Sequence, residues 1–540
     1  MARTVSIFLL LMGLFSPLAS WAEEIWPQKE AIKWVIKATP DNAATQYPQK
    51  LAQLYYANSY RPFWRDYRSR RVFESQLKEL ALSDIADNFS IRYYDLLEAK
   101  LSRNWRHYDV LATDTLLAYI SYVDQAPKFG KSWFFGGDVS NFLPEPSEPM
   151  LQAFIEAVDS KTLYQYLQAL SPQSDQYTYM TDSLAHLLQL QKQGWPVYHQ
   201  VRMAKKNAIL SDKATLVTIL ERLGALTPEQ ALNIRLEDNE NYSAELQMGV
   251  KRFQEIHGLK QDGIIGKNTL YWLQLGLEER VRIMALNIQR LRIWPESKQS
   301  TILVNIPDYK LEFWLEDELV LDSRVVVGRP SRKTPLFDAR LDSVVFNPSW
   351  NVPIKIMRKD ILPKIKSDSE YLARHNYSVL RSWSNREVIP LDTIDWSQVT
   401  PNNFTYRLQQ RPGNGNALGR YKFNTPNRNA IYLHDTPSKS LFNKESRAYS
   451  SGCIRVEQAS VLADVLMKNS NINLSRVAKY RSNVKTKSVS LKNRIQVYTI
   501  YQTAWVDEDG KVNFRKDVYN YDKMRNHSKS RKKLMSAYVH

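Results

Sequence analysis

The chain has 540 residues, a formal net charge of +18 and 43% hydrophobic residues, which gives length for about three or four domains and enough apolar content for real cores. Its single cysteine, Cys453, excludes an intrachain disulfide and leaves an intermolecular partner, an inert buried role or a reactive thiol. Aromatic residues reach 11%. In a cytosolic chain that share beside a basic balance would point to nucleic acid, whereas export points to the polyanions of the envelope or simply to a solvated basic surface. Export is expected because Arg3 precedes an apolar run from Val5 to Leu18 that ends in Ala19-Ser20-Trp21-Ala22. This reads as a signal peptide over 1–22 cleaved after about Ala22, and Gly13 and Pro17 make the run a poor membrane span.

From 40 to 200 the chain predicts a helical scaffold domain. Apolar residues recur at three and four, as at Phe73, Leu77, Leu80 and Ala81, or at Met180, Leu184, Leu187 and Leu188, the pattern of packed amphipathic helices. Gly136-Gly137-Asp138 with Pro144, Pro146 and Pro149 marks a loop. His107, His186 and His199 are scattered and form no catalytic constellation.

A second domain is expected over 207–277. Leu216, Ile219, Leu220 and Leu223 make one stripe, and Leu246, Val250 and Phe253 another that ends at His257-Gly258, where glycine supplies the helix stop. The run Val250 to Leu259 followed by Asp262-Gly263 and Ile264 to Leu270 resembles the small three-helix peptidoglycan-binding domain of wall enzymes. The resemblance implies wall binding, with a spacer role as the alternative. Gly263 to Thr269 lacks the spacing of a phosphate-binding loop, because only two residues separate its glycines.

Strand signals begin near 300. Ile302 to Ile306, Lys310 to Trp314 and Leu319 to Val327 are β-rich runs parted by Pro307-Asp308 and Glu316-Asp317-Glu318, a predicted meander. Residues 354–410 are polar and helix-prone, an insertion that reads as a lid or an inert excursion. A last strand, Ile495 to Tyr501, leads to a basic C-terminal tail over 508–540.

Cys453 stands in Ser450-Ser451-Gly452-Cys453-Ile454-Arg455, and His434 closes the apolar run Ala430-Ile431-Tyr432-Leu433. A nucleophilic thiol needs a base, and imidazole suits that role. Gly452 allows a sharp turn that leaves backbone N–H groups for an oxyanion, and Arg455 adds charge that favours thiolate or holds a substrate carboxylate. Together these residues, with Arg411 to Phe423 and Thr425-Pro426-Asn427, resemble the L,D-transpeptidase (YkuD-type) family over 300–507. Ser451 departs from it, standing where the commoner pattern has a second histidine. That departure and the insertion resemble the large Gram-negative branch with a helical scaffold and a peptidoglycan-binding domain.

The resemblance implies a multidomain α+β fold: helical N-terminal scaffold, three-helix peptidoglycan-binding domain, and a mostly-β catalytic domain with a helical capping insertion. It implies a periplasmic cysteine acyltransferase whose Cys453 forms a thioester with a tetrapeptide stem, releasing D-Ala, with His434 as general base and Gly452 at the oxyanion site. A second diaminopimelate amine then gives a 3-3 crosslink. Arg455, Ser451, Tyr432 and Trp350 are candidate substrate contacts, the two aromatics equally readable as packing. The implied partners are peptidoglycan tetrapeptide stems and other wall synthases, with no nucleic acid, no metal and no cofactor. Carbapenem acylation of the thiol is a family trait, and the wider role is in wall organisation and cell shape. Hydrolysis of the same thioester, an L,D-carboxypeptidase activity, is the close alternative, and a noncatalytic wall-binding scaffold is the distant one. A serine enzyme built on Ser482-Asn483-Val484-Lys485 lacks the accompanying Lys-Thr-Gly motif.

Overall fold

The computed structural model describes residues 28–39, 45–200, 202–295, 299–368 and 370–523. The expected signal segment (1–22) and residues 524–540 of the expected tail lie outside them. The chain divides into two compact units, one of residues up to Ser75 with Ile91–Asp124 and Asn141–Gln168, the other of Gln76–Ser90, Gln125–Ser140 and Ala169 onward.

The first unit is helical. Its helix Pro48–Ala57 has proline in the first turn and no side chain of its own capping the start. Asp114 takes that role instead, accepting the N–H groups of Gln46 (2.9 Å) and Tyr47 (2.9 Å). The carboxylate is buried and paired with the buried Arg92 at 2.6 Å, as a desolvated charge requires.

In the second unit, helices Lys213–Arg222, Pro228–Leu236, Ala244–Ile256 and Lys267–Leu273 carry the predicted stripes. Leu216, Ile219, Leu220, Leu246, Val250 and Phe253 are all fully buried in one core. Thr227 and Gln230 form a capping box, and Ser243 caps the next helix through the Leu246 N–H, satisfying otherwise orphaned donors. Gly258 ends that helix at φ +64°, where a Cβ is disfavoured. Gln254 explains the spacing of the motif. Its amide nitrogen donates to Asp262, to the Ile264 carbonyl and to Thr269, and its oxygen accepts the Gly263 N–H at 2.8 Å. His257 is buried here. Its Nδ1–H donates to the Phe253 carbonyl (2.7 Å), leaving Nε2 to accept from Arg280 at 2.9 Å, and burial with that cation pulls its pKa well below the ordinary value.

Helix Asp175–Lys192, inside the expected scaffold, shares this core through Met180, Leu184 and Leu187. So do Ala504, Val506 and Phe514. Residues 508–523, assigned by sequence to a tail, are therefore folded. Charge there masked a short hairpin that buries Ala504, Val506 and Phe514 and half-buries Trp505 and Val512.

The β-rich part of the second unit uses strands β1 (Thr301–Asn305), β2 (Lys310–Leu315), β3 (Glu318–Gly328), β4 (Asp338–Phe346), β5 (Trp350–Asn351), β6 (Tyr377–Leu380), β7 (Val388–Ile389), β8 (Arg407–Gln410), β9 (Tyr421–Asn424), β10 (Leu433–His434), β11 (Ala448–Ser450), β12 (Ile454–Val456) and β13 (Lys487–Ile500). The hairpin above is β14 (Ala504–Val506) and β15 (Val512–Phe514). Among the described residues the main sheet runs β11-β3-β12-β10-β9-β4-β13-β1-β2, and β2 also pairs with β3. The first part of β3 pairs with β2 and its last part with β12, so one long strand closes the sheet on itself. The meander is antiparallel, as predicted. Helix Ala459–Asn469 seals one face with Leu462, Ala463, Leu466 and Met467.

The insertion has short helical turns over Ile354–Ser367 and Tyr371–Arg374, but adds a sheet that sequence reading did not contain, β5-β8-β6-β7. Its strands are two to four residues long, too short for alternation to show. It has its own core, with Met357, Leu372, Val379 and Leu408 fully buried.

Candidate active site

Alternation along two neighbouring strands builds the site. β10 and β12 are parallel, with Leu433 opposite Ile454 and His434 opposite Arg455. The Ile454 N–H donates to the Tyr432 carbonyl at 3.1 Å, extending the ladder. Leu433 and Ile454 are fully buried in the core. Side chains one position away point the other way, so Tyr432, His434, Cys453 and Arg455 share the opposite face. Lys422 of β9, opposite His434, joins them, with its ammonium 4.4 Å from the Tyr432 ring centroid. The Tyr432 and His434 rings meet edge-on at 5.7 Å.

His434 is buried. Its Nδ1–H donates to the Asp435 carbonyl at 2.5 Å, which leaves the lone pair on Nε2, as a base requires. Burial, then Arg455, pull its pKa down to about 3, so the ring is neutral through the physiological range. Burial raises the Cys453 thiol pKa, while the Tyr432 backbone N–H and hydroxyl, with Lys422 and Arg455, favour the thiolate. Burial wins, and the resting pair is a neutral thiol and a neutral imidazole. The indole N–H of Trp350 faces the Tyr432 hydroxyl in turn. His434 and Cys453 are diagonal neighbours, and no hydrogen bond joins them among the described residues.

The turn before Cys453 is tied from three sides. Ser450 Oγ donates to the Cys453 carbonyl (2.6 Å) and accepts the Gly452 N–H (3.1 Å), and Thr334 Oγ1 donates to the Gly452 carbonyl (2.8 Å). Gly452 has φ +119°, which L side chains rarely adopt, and a Cβ there would lie 3.3 Å from Ile431 Cδ1. Of the backbone N–H groups around Gly452 and Cys453 expected to face an oxyanion, that of Gly452 is already bonded to Ser450, and its positive φ matches the sharp turn expected there. The Cys453 N–H has no acceptor among the described residues and is the donor left for an oxyanion.

Arg455 is half-buried, and its buried Nε has no hydrogen-bond partner, an unusual state for a desolvated guanidinium. Ser451 is exposed, and its Oγ accepts from Arg332 at 2.9 Å. Arg332 also donates to Asp360 of the insertion through both amino groups, one at 2.9 Å. The insertion therefore reaches the cysteine loop through Asp360, Arg332 and Ser451, and Trp350, which precedes it and pairs with its strand β8, faces the thiol's neighbour Tyr432. Sequence reasoning missed Lys422, Arg332 and Asp360. Lys422 lay inside the Arg411 to Phe423 run, where Tyr421 and Phe423 alternate inward and leave it on the site face. Nothing local marks Arg332 or Asp360, whose meaning comes from a pairing across 28 residues.

Residues 299–477 match a family model described as the L,D-transpeptidase (YkuD) catalytic domain. Residues 49–184 match a scaffold domain, and 212–273 match one described as "Putative peptidoglycan binding domain". A Haemophilus influenzae protein named "Putative L,D-transpeptidase" is 30% identical over 494 residues, 92% of this chain and 82% of that protein. A solved L,D-transpeptidase fragment from Xylanimonas cellulosilytica matches at 12% identity over 56% of this chain and all of its own, with a TM-score of 0.16, too low for any structural argument.

Proposed function

The chain belongs to the L,D-transpeptidase family, and on that premise we propose that it is an exported, periplasmic enzyme that forms 3-3 crosslinks between diaminopimelate residues of peptidoglycan. The observation that carries the reading is Arg455, a half-buried cation with an unpartnered Nε on the same sheet face as the lone cysteine. Such a group suits a stem-peptide carboxylate. Its filling has a consequence for the base. Arg455 is, after burial, the largest influence holding the His434 pKa down, so a bound carboxylate lets His434 become basic when substrate is present.

In the acylation step His434 Nε2 takes the thiol proton as Sγ attacks the carbonyl carbon at the L-centre of diaminopimelate. The oxyanion forms at the Cys453 N–H. Collapse breaks the amide C–N bond, His434 returns its proton to the leaving nitrogen, and D-Ala departs from a Cys453 thioester. The side-chain amine of a second diaminopimelate, deprotonated by His434, then attacks the thioester and frees the thiol.

Intact mass of the protein with a tetrapeptide muropeptide tests this. The expected result is an acyl adduct minus D-Ala, absent in Cys453→Ala, and a crosslinked dimer on adding acceptor. Equal crosslinking by Cys453→Ala refutes the enzyme reading, and free tripeptide as the sole product moves it to a carboxypeptidase.

A further inference from the structure

The first unit holds a cleft of about 480 Å³ whose chemistry differs from that of the thiol site. Its floor is fixed from beneath. The Asp109 carboxylate, itself buried, accepts the Tyr55 hydroxyl (2.5 Å) and the Trp64 N–H (2.9 Å). Trp34 stands over that floor, 4.9 Å from the Tyr55 ring and 5.1 Å from Tyr60. Tyr60 is held at φ +56°, a left-handed conformation unusual for a bulky residue. Trp105, 49% exposed, forms part of the lining.

The cleft is also cationic. Arg106 lies 5.7 Å over Trp34 and Arg70 lies 5.4 Å over Trp105, and Arg65 completes the set. None of the three pairs with a carboxylate among the described residues. Preformed aromatic faces suit the flat apolar sides of a sugar ring, and forked guanidinium groups suit a carboxylate. Arg70 is already bonded through one amino group to the Trp64 and Arg65 carbonyls, but a neutral sugar would leave the guanidinium N–H groups of Arg65 and Arg106 unused, and a simple anion would leave the exposed part of Trp105 unused.

We propose that this cleft binds the glycan strand of peptidoglycan at a stem-free muramyl residue, an N-acetylated sugar whose lactyl carboxylate is charged because no peptide is amide-linked to it. The identity of that strand rests on the wall-directed reading above. The scaffold then grips a bare stretch of the polymer's backbone, while the cysteine acts on stems carried by other residues.

The probe is the peptide-free disaccharide of N-acetylglucosamine and N-acetylmuramic acid, titrated by calorimetry into the full chain carrying Cys453→Ala. It has no stem, so its binding is independent of whether the thiol is an acyltransferase, which the adduct assay scores separately. Saturable binding is expected, weakened at least tenfold by Arg106→Gln and by Trp105→Ala. Both positions are exposed, and unchanged circular dichroism checks folding. Absence of binding overturns the proposal. So does equal affinity for uncharged diacetylchitobiose, or binding indifferent to both substitutions.

Discussion

Removing the Tyr432 hydroxyl tests the electrostatic account of the thiol most directly. In Tyr432→Phe the ring stays on the site face beside His434, while an O–H dipole that favours the Cys453 thiolate is lost. A hydrogen bond to a charged acceptor is worth ~1.5–3 kcal/mol, which at ~1.4 kcal/mol per unit raises the thiol pKa by about 1–2 units. Below that pKa the thiolate fraction falls about 10- to 100-fold, but a more basic thiolate is intrinsically more reactive, with a Brønsted slope of about 0.4–0.5. The net slowing of iodoacetamide alkylation at pH 7 is about 4- to 12-fold. Cys453 is the sole cysteine, so intact mass reads this site alone. Trp350→Phe, which removes the N–H facing that hydroxyl, should slow alkylation in the same direction but less. An unchanged profile in Tyr432→Phe, or an alkaline limb displaced toward lower pH, refutes the reasoning.

Arg455→Gln separates substrate binding from thiol chemistry. Acylation by tetrapeptide should fall by about 10- to 100-fold, consistent with loss of a charged contact, whereas iodoacetamide, which has no carboxylate, should lose far less; equal losses contradict the assigned role. Asp360→Ala removes the insertion's hold on Arg332. Hydrogen exchange should rise over residues 354–368 and around Ser451 with little change in β1 and β13, and no local rise refutes the latch. Acid should destabilise the fold through His434. Its folded pKa of about 3 lies below the unfolded value of ~6.5, so its contribution is complete above pH 6.5 and is lost as pH falls toward 3, amounting to about 5 kcal/mol at most. Melting temperature should drop from pH 6.5 to 4, less steeply in His434→Asn, and a flat profile in the parent contradicts a buried neutral ring.

The parts legible in sequence were those where one chain segment carries its own pattern. The helical stripes at Leu216 to Leu220 and Leu246 to Phe253, the meander over 301–327 and the cysteine motif are of that kind. The insertion's sheet and the hairpin at 504–514 were not, because their strands are too short for periodicity and are specified by partners distant in the chain. The same limit applies within the site. Cys453 and His434 could be named from motif chemistry, and alternation places Tyr432 and Arg455 beside them once the parallel register is known. That the Gly452 N–H is bonded to Ser450, or that Ser451 answers to Arg332, depends on side-chain directions that no spacing encodes.

The bonding of Gln254 bears on what its motif reports. The amide is consumed in holding Asp262, Gly263, Ile264 and Thr269 together, so the residues by which this module is identified are engaged with one another. A match to that signature certifies the scaffold of the module and is silent about its affinity. Selectivity must then reside in the outward-facing positions, which can drift or be exchanged without unfolding the domain. Two proteins sharing the signature need share no ligand, and a redesigned outer face could redirect this enzyme to another surface while its catalytic sheet stays as it is.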